Sequence, residues 1–424
     1  MSLSKRKSLS KSNILIFICW LVYAASYVGK LSYNANISRI GEAFGVTYAE
    51  TGMVSTFFFF VYGAGQIVNG ILCKKYNVKY VVLASLAVSS LMNILVASVT
   101  DFEIIKYLWL INGASMSFLW TSLIRLLSES IPKADIPKAT VVMGTTVAVG
   151  TLAVYGISAA YAAFISYHAA FISAAVIMLG AAAVWIIAYD PTVKSLKAEL
   201  EAPSSEEEAH LGASGSASAL LPFISVIAIF AISNNLIKDG LTAWTPDILS
   251  SLYETPDWLS ILLTLLLPVL GIVGSFVAVW VEKLTKNFVL SCAILFASAS
   301  VLVGTVIIFI SSSHLSVTII CFALVSCLMA GVNNVITSMI PLELKDKADP
   351  GKLSGILNGF CYLGSTISSY GLGLIADGLG WGAVFQTLLC VALFSVLSGC
   401  VYLAIAAIKA RSRLSSSGFK SAQG

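Results

Sequence analysis

Three basic side chains lie inside long apolar segments of this sequence, where a charge needs a specific reason to be present. They are Lys30, Arg125 and Lys238, and Asp239 is the one acidic residue clearly inside such a segment. An ionised side chain in a membrane-spanning helix is costly, so it normally faces a water-filled cavity or a partner of opposite charge. Lysines that point into a cavity of low dielectric constant attract anions. The sequence therefore indicates a site that binds an anion.

The two lysines occupy equivalent places in the chain. Helical spacing puts each of them on a polar face, because residues three and four apart lie on the same side of a helix. The two faces comprise Tyr23, Tyr27, Lys30 and Asn34 in one segment and Asn234, Asn235, Lys238 and Thr242 in the other. Each lysine lies about 26–28 Å along its helix at a rise of about 1.5 Å per residue. We predict that Lys30 and Lys238 bind the anion, and that the cavity is lined by Tyr23, Tyr27, Trp120 and Asn234.

The residues alone leave other roles open for these charges. Both lysines could extend long side chains to the membrane interface, and Asp239 could neutralise Lys238 as a structural pair. Arg125 lies four residues before Glu129, a spacing that favours a local ion pair. We predict a structural or gating role for Arg125, Glu129 and Asp239, with substrate contact as the alternative for Arg125. The sequence has no metal-ligand spacing and no nucleotide-binding loop, and we expect no catalytic residue, no metal and no cofactor.

The composition identifies the environment of these segments. Hydrophobic residues make up 58% of the 424 residues, charged residues make up 11%, and the mean hydropathy is +0.91. A water-soluble globule could not cover so much apolar surface, which excludes a soluble enzyme, and the unbroken apolar blocks exclude the alternating pattern of a membrane β-barrel. The net charge of +4 is too balanced for a nucleic-acid partner. We therefore predict an all-α polytopic protein of the lipid bilayer.

Twelve apolar blocks are long enough to cross the membrane, since a helix needs roughly 20 apolar residues to span its hydrocarbon core. They lie at 13–36, 50–72, 78–99, 104–128, 138–163, 166–188, 219–249, 257–281, 286–311, 315–340, 352–376 and 381–408. The polar stretch 189–218 separates six blocks from six and contains a Gly/Ser/Ala run, which is typical of a flexible linker. We predict an N-terminal tail at 1–12, six-helix halves at 13–188 and 219–408, and a C-terminal tail at 409–424.

The basic residues also predict the orientation of the chain. With the N-terminus placed in the cytoplasm, most lysines and arginines fall in inner loops and tails, whereas the outer loops hold only Arg39 and Lys106. Cytoplasmic loops are enriched in basic residues, so we expect a multi-pass protein of the plasma (inner) membrane with both termini in the cytoplasm. The first apolar block continues beyond Tyr27 to full membrane length, which favours an uncleaved helix over a signal peptide.

The two halves of the chain are related to each other. The segment from Lys133 to Lys138 recurs from Lys347 to Lys352, and Gly150 matches Gly364 at the same separation of 214 residues. These matches align the fourth to sixth helices with the tenth to twelfth. A parallel duplication of a six-helix unit is the repeat pattern of secondary transporters, whose substrate site lies between the halves near mid-membrane.

With twelve helices, a long central loop and inner termini, the chain resembles the major facilitator superfamily. It is similar in particular to the organophosphate:phosphate antiporter branch, the glycerol-phosphate and sugar-phosphate carriers. The similar stretches are Tyr27 to Tyr33, Gly113 through Trp120 to Arg125, and Lys238 to Pro246, where the branch has a basic-x-Gly-x-x-x-Trp-x-Pro pattern. Two departures are clear. Lys74 stands where the superfamily has Asp, and both central basic positions are lysines, whereas the best-known members have arginines.

The resemblance implies exchange of an organophosphate for inorganic phosphate. We predict a secondary active transporter of a small organic anion, phosphorylated and exchanged for phosphate, that works as a monomer by alternating access. One alternative is a symporter of carboxylates or other organic anions, because lysine lacks the bidentate fork that suits phosphate. Another is a transporter-like membrane sensor that binds a phosphorylated ligand and signals to a partner protein.

Overall fold

The computed structural model describes residues 3–72, 75–200, 217–310, 314–344 and 350–421. Within them every regular element is helical, as the composition predicts. The central part of the predicted linker, 201–216, and the basic residues Lys345 and Lys347 of one predicted inner loop lie outside the described residues. The helix before the linker runs to Leu200, and the next one begins at Ala217.

Helices follow one another along the described chain with short connections. In chain order, the α-helices are Leu3–Leu31, Ile37–Phe44, Tyr48–Leu72, Val78–Val96, Phe102–Met116, Leu119–Ser130, Ile136–Gly144, Thr146–Phe164, Tyr167–Leu200, Ala217–Tyr253, Asp257–Thr264, Leu266–Thr285, Phe288–Phe309, Leu315–Asn334, Ile340–Glu343 and Pro350–Ser421. Short 3-10 turns cover Asn34–Asn36 and Lys133–Asp135, and a π-helical turn covers Val335–Met339.

Eleven helical ranges of the described residues are long and apolar enough to cross a membrane. Spans 1 to 10 are Lys11–Leu31, Tyr48–Gly70, Val78–Val96, Phe102–Ser130, Val141–Phe164, Tyr167–Leu196, Leu221–Tyr253, Asp257–Thr285, Phe288–Phe309 and Leu315–Met339. The last range, Leu353–Lys409, holds spans 11 and 12.

That last range is divided by a break at Gly380. It is 57 residues long, more than twice what a single crossing needs. At Gly380 the backbone leaves the helical region, with φ of 78° and ψ of 172°. Glycine reaches a positive φ readily because it has no Cβ, so one helix ends here and another begins. Span 11 precedes Gly380 and span 12 follows it, which confirms the prediction of twelve membrane crossings.

Span 1 differs from the predicted first block because the chain breaks and then continues as a helix. The block was expected to end at residue 36, whereas the first helix ends at Leu31 and a further helix, Ile37–Phe44, follows the short turn. The polar turn is stabilised inside the protein, since the Asn36 amide donates to the Ser32 carbonyl and to the Ser158 hydroxyl, each at 2.9 Å. The polar residues that ended the predicted block therefore belong to a bend within the membrane.

This extension places Lys30 well inside the helical bundle. Lys30 lies 14 residues before Phe44, or about 21 Å at helical rise. Lys238 lies 15 residues before Tyr253, where span 7 ends, or about 22 Å. The two lysines therefore share one depth near the centre of the bundle. We call the end of the bundle that holds residues 37–47 its outer end, following the predicted orientation.

The two glycines that the repeat aligned make equivalent contacts in the two halves. A Cβ at Gly150 of span 5 would lie 2.6 Å from the carbonyl oxygen of Ala24 in span 1. A Cβ at Gly364 of span 11 would lie 2.0 Å from the carbonyl oxygen of Ile232 in span 7. Such close backbone approach requires glycine. The packing of span 5 on span 1 is thus repeated by span 11 on span 7.

The halves meet mainly along spans 2 and 11 and along spans 5 and 8. Spans 2 and 11 come closest near the outer end. A Cβ at Gly52 would lie 2.0 Å from the carbonyl oxygen of Ser369, and one at Gly373 would lie 2.5 Å from that of Tyr48. The two halves are therefore in backbone contact on the outer side of the two lysines.

Candidate functional site

Lys30 is buried in a cage of aromatic rings between the halves. Its side chain is 5% exposed, and its ammonium lies 4.0 Å from the ring centroid of Tyr62, 4.9 Å from that of Tyr362, 5.0 Å from that of Tyr27 and 5.9 Å from that of Phe58. The ammonium also donates a hydrogen bond of 3.1 Å to the Tyr362 hydroxyl. Ring faces attract a cation, and the attraction is stronger where water is excluded. The cage therefore stabilises the charged lysine inside the bundle.

Tyr62 and Tyr362 are site residues that the sequence analysis missed. Tyr62 belongs to span 2 and Tyr362 to span 11, so the cage is built from both halves of the chain. Their rings pack edge to face with centroids 4.7 Å apart. Each is a tyrosine at mid-span in an apolar run, and its hydroxyl needs a polar partner once buried. A tyrosine at mid-span in an apolar run could therefore have been predicted to contact a buried polar group. The sequence does not indicate which lysine that group would be.

The two lysines differ in how their charge is balanced. The Lys238 ammonium lies 3.3 Å from the Asp239 carboxylate, and the two side chains are 24% and 21% exposed. No carboxylate of the described residues lies within 4.0 Å of the Lys30 ammonium, which donates a hydrogen bond to the Tyr362 hydroxyl. The structural pair that the sequence left open for Lys238 is therefore formed, whereas Lys30 is an unneutralised buried cation.

The Asp239 carboxylate is further held by neighbours of both spans 7 and 11. It accepts hydrogen bonds from the Asn235 amide at 3.0 Å and from the Ser365 hydroxyl at 2.5 Å. Ser365 lies three residues after Tyr362, so one face of span 11 touches both lysine clusters. Span 11 thus links the Lys30 cage to the Lys238–Asp239 pair.

The other predicted lining residues lie beside the two lysine clusters. Tyr23 packs on Trp120 with ring centroids 4.8 Å apart and edge to face on Tyr27 at 5.4 Å, which continues the cage along span 1. Asn234 is fully buried, and its amide donates to the Asn235 side chain at 3.0 Å. Its own carbonyl oxygen has no hydrogen-bond partner among the described residues. A buried acceptor of this kind favours a ligand or water with a donor group.

Arg125 and Glu129 lie apart from this cluster, near the inner end of span 4. The Arg125 guanidinium lies 2.8 Å from the Glu129 carboxylate, and it also donates to the Tyr76 carbonyl at 3.4 Å. The structure brings these two residues together as a local pair and connects them to the chain that enters span 3. This geometry fits the structural or gating role predicted for them, not contact with the lysine cage.

Contacts between the halves close the outer side of the site. The Asp377 carboxylate of span 11 accepts hydrogen bonds from the backbone N–H groups of Tyr48 at 2.9 Å and Ala49 at 2.6 Å, at the start of span 2. A carboxylate is favoured there because the first N–H groups of a helix have no partner within it. The Tyr48 ring packs on Trp244 and Trp381 with centroids 5.8 Å and 5.0 Å away. The lysine level is thus sealed from the outer end.

The Lys238–Asp239 pair gives a direct test of what Lys238 does. Lys238→Ala should lower the amount of folded protein in the membrane, because it leaves the Asp239 charge without its cation. Adding Asp239→Asn should restore that amount, since neither charge then remains. We would measure membrane abundance and thermal stability of both variants, with Asp239→Asn alone as the control. Unchanged abundance of Lys238→Ala would show that the pair contributes nothing to stability.

The fold and the site define a class of protein before any comparison is made. Twelve spans in two related halves, with a charged site between the halves, are the architecture of a membrane transporter and not of an enzyme. The comparison with known families agrees. The model of the Major Facilitator Superfamily matches residues 19–369, and the chain belongs to that superfamily.

Several proteins are similar to this chain over most of its length. It is 23% identical over 401 residues to the membrane sensor protein UhpC of Salmonella typhimurium, a match that covers 91% of this chain and 90% of that protein. It is 22% identical over 416 residues to a probable hexose phosphate transport protein of Chlamydia trachomatis, with 90% and 89% covered.

Solved structures of low sequence identity share the fold. A bacterial homologue of the human lysosomal transporter Spinster, in an inward-facing and unoccupied conformation, superposes with a TM-score of 0.71 at 12% identity over 92% of this chain and 96% of that one. The nucleoside transporter NupG gives a TM-score of 0.64 at 14% identity, with 92% of this chain and 99% of that one covered.

Proposed function

We propose that this protein carries a small organic phosphate across the membrane by alternating access, in exchange for inorganic phosphate. The observation that supports the proposal is the buried Lys30 ammonium, which has aromatic and phenolic neighbours but no carboxylate within 4.0 Å among the described residues. A cation in a site of low dielectric constant favours an anion as its partner. A phosphate oxygen can accept hydrogen bonds from the ammonium and from the phenols together.

In this proposal the anion binds where the two halves touch. The Lys30 ammonium of span 1 donates to the Tyr362 hydroxyl of span 11, so one hydrogen bond joins the halves at this site. An arriving anion takes the ammonium as its own partner and breaks that bond. The halves then rock about the bound anion and expose it to one side at a time. Tyr23, Tyr27 and Trp120 enclose it, and Lys238 and Asn234 face it from span 7.

The similar proteins favour a sugar phosphate over other anions. One is named a probable hexose phosphate transport protein, and it matches this chain over most of both lengths. We therefore propose a hexose phosphate as the first substrate to test. We further propose a monomer in the inner membrane with both termini in the cytoplasm, on the strength of the basic residues in the predicted inner loops.

Purified protein in liposomes tests the proposal. Liposomes loaded with phosphate should take up labelled glucose 6-phosphate, and liposomes without internal phosphate should take up much less. Labelled succinate supplied in the same way is the matched control for a carboxylate carrier. Uptake of succinate but not of glucose 6-phosphate, or uptake that ignores internal phosphate, would contradict the exchange of organic phosphates.

A sensor is the second candidate, because one similar protein is named a membrane sensor protein. A sensor binds its ligand without moving it. Binding raises the apparent thermal stability of a protein when the ligand binds the folded state alone. Stabilisation by glucose 6-phosphate without uptake into loaded liposomes would therefore favour the sensor, and stabilisation with uptake would favour the carrier.

A further inference from the structure

A cavity lies at the outer end of the bundle, and none of the residues of the lysine cage line it. Its volume is about 510 Å³, and residues of both halves line it. The lining residues are Ile37, Ser38, Gly41, Glu42, Gly45, Val46, Thr47, Tyr48, Thr51, Asp247, Ser250, Ser251 and Asp377. Several of them, including Glu42 and Gly45, are exposed at the rim, so the cavity opens toward the outer end.

Asp247 is the buried acid of this cavity. Its side chain is 3% exposed, and its Oδ2 atom has no hydrogen-bond partner among the described residues. The two other carboxylates of the lining differ from it. Asp377 is engaged by the N–H groups of Tyr48 and Ala49, and Glu42 is exposed. Asp247 therefore lines the cavity and keeps one carboxyl oxygen buried without a hydrogen-bond partner among the described residues.

The titratable groups that face Asp247 make its ionisation unfavourable. The carboxylates among them are Glu42 of the helix Ile37–Phe44 and Asp257 at the start of span 8, with Asp377 in the lining of the same cavity. Tyr33, in the turn after span 1, and Tyr155 of span 5 also lie near Asp247, and a neutral phenol adds no negative charge. Tyr48 lines the cavity as well. The nearby cation, Arg39, lies 4.0 Å from the Asp257 carboxylate instead. Burial and neighbouring negative charge both favour the protonated form of a carboxyl group.

Glu42, which lies outside the spans, shows the same environment at the rim. Glu42 is exposed at the rim, but partial desolvation of its carboxyl group and the nearby Asp257 carboxylate raise the pKa of Glu42 above its usual range. Arg39 offsets part of that rise. The acidic rim thus extends the negative environment that surrounds the buried carboxyl group.

We propose that Asp247 is a proton-binding site whose protonation holds the outer end of the carrier closed. When the halves separate at the outer end, water reaches the carboxyl group and the proton leaves. When they close again, the carboxyl group must take up a proton before it is buried among other acids. Closure is therefore favoured at low pH and lost as the pH rises through the titration of the closed form.

The proton exchanges with the outer side alone, because the cavity opens toward that end in this closed form. The site therefore sets how outer pH controls opening, and it does not drive transport by carrying protons across. This inference rests on the alternating access of the proposed function, but not on the identity of the substrate.

Labelling of a single reporter cysteine tests the site without any substrate. Ser369 is 2% exposed and lies where spans 2 and 11 touch, so Ser369→Cys should be accessible only when the outer end opens. We would measure its labelling rate by an impermeant maleimide between about pH 5 and 9, with Asp247 intact and with Asp247→Asn. The protein without Ser369→Cys gives the background from its native cysteines. Comparison at equal pH removes the effect of thiolate formation on the reaction.

The proposal is tested by the ratio of the labelling rate with Asp247 intact to the labelling rate with Asp247→Asn. With Asp247 intact the rate should rise relative to Asp247→Asn as the pH rises, by up to about tenfold per pH unit, as linkage to one proton requires. The neutral asparagine should keep labelling slow. A ratio that is constant with pH, or faster labelling of Asp247→Asn, would overturn the proposal.

Glu42→Gln provides a second test that does not alter the buried group. Removing a neighbouring negative charge makes ionisation of Asp247 easier, so the rise in labelling should move to lower pH. If Asp247 had a purely structural role, Glu42→Gln would not change the pH at which labelling rises halfway. An unchanged half-rise pH would therefore contradict the proposed proton-binding site. Glucose 6-phosphate uptake is measured separately, so a wrong substrate and a wrong proton site give different results.

Discussion

Lys30→Ala should lower uptake of the anionic substrate by about two to four orders of magnitude while leaving the protein abundant in the membrane. Removing one partner of a buried charged site costs about 3–5 kcal/mol, and about 1.4 kcal/mol corresponds to tenfold in affinity. Abundance should hold because Lys30 has no carboxylate partner among the described residues that its loss would leave unpaired. Uptake of labelled glucose 6-phosphate and surface abundance would be measured on the same membranes.

Three variants separate anion binding from other roles of Lys30. Lys30→Arg keeps the charge and should be milder, although its planar group fits the aromatic cage differently. Lys30→Gln keeps a polar side chain without the charge and should fail like alanine. Lys106→Gln, at a lysine paired 2.6 Å from Glu103 near the surface, should transport normally. Near-normal uptake by Lys30→Gln would mean that the site does not depend on this charge and that the substrate is not held by it.

Gly52→Val should abolish transport by a different route, because it prevents the outer end from closing. The added Cβ would meet the Ser369 carbonyl oxygen at 2.0 Å, and that atom is backbone of the other half, which cannot move aside as a side chain can. The clash lies between the halves and not within one of them, so the protein should be present but held open to the outer side. Rapid labelling of Ser369→Cys in this variant, together with lost uptake, is the expected pair of results.

Two other glycines serve as controls for that experiment. Gly364 makes an equally close contact with the carbonyl oxygen of Ile232, but both residues belong to the C-terminal half. Gly364→Val should therefore reduce the amount of folded protein instead of trapping one conformation. A Cβ at Gly156 would meet nothing within 4 Å, so Gly156→Val should be nearly silent. Normal uptake by Gly52→Val would show that spans 2 and 11 do not need this contact.

The number of spans, the related halves and the shared depth of the two lysines could be predicted from the sequence. The length of each apolar block predicts a span, and the positions of basic residues within and between the blocks predict the lysine depth and the orientation. Both patterns involve residues that are close together in the chain. The cage around Lys30 could not be predicted in this way. Tyr62 and Tyr362 come from different halves, and the Lys30–Tyr362 hydrogen bond joins residues 332 positions apart.

Two other features escaped prediction for local reasons. Polar residues from Ser32 to Asn36 marked the predicted end of a span, whereas they form a buried bend inside the bundle and the chain continues as a helix from Ile37. Asp247 lies near the end of an apolar block, where an exposed interfacial acid is the ordinary interpretation. Its burial depends on the helix Ile37–Phe44, which packs against span 7. The sequence of span 7 contains no pattern that predicts this contact.

The unbalanced charge of Lys30 has an electrical consequence. With Lys238 balanced by Asp239, the empty site carries one positive charge, and it becomes neutral when it holds a monovalent anion. In the alternating-access cycle that we propose, a membrane voltage would do work on the return of the empty site and none on the movement of the loaded one. The work is about 2.3 kcal/mol for a full elementary charge across 100 mV, reduced by the fraction of the field that is crossed. With a doubly charged anion the loaded site is negative instead, so the ionisation state of the substrate decides which movement the voltage drives.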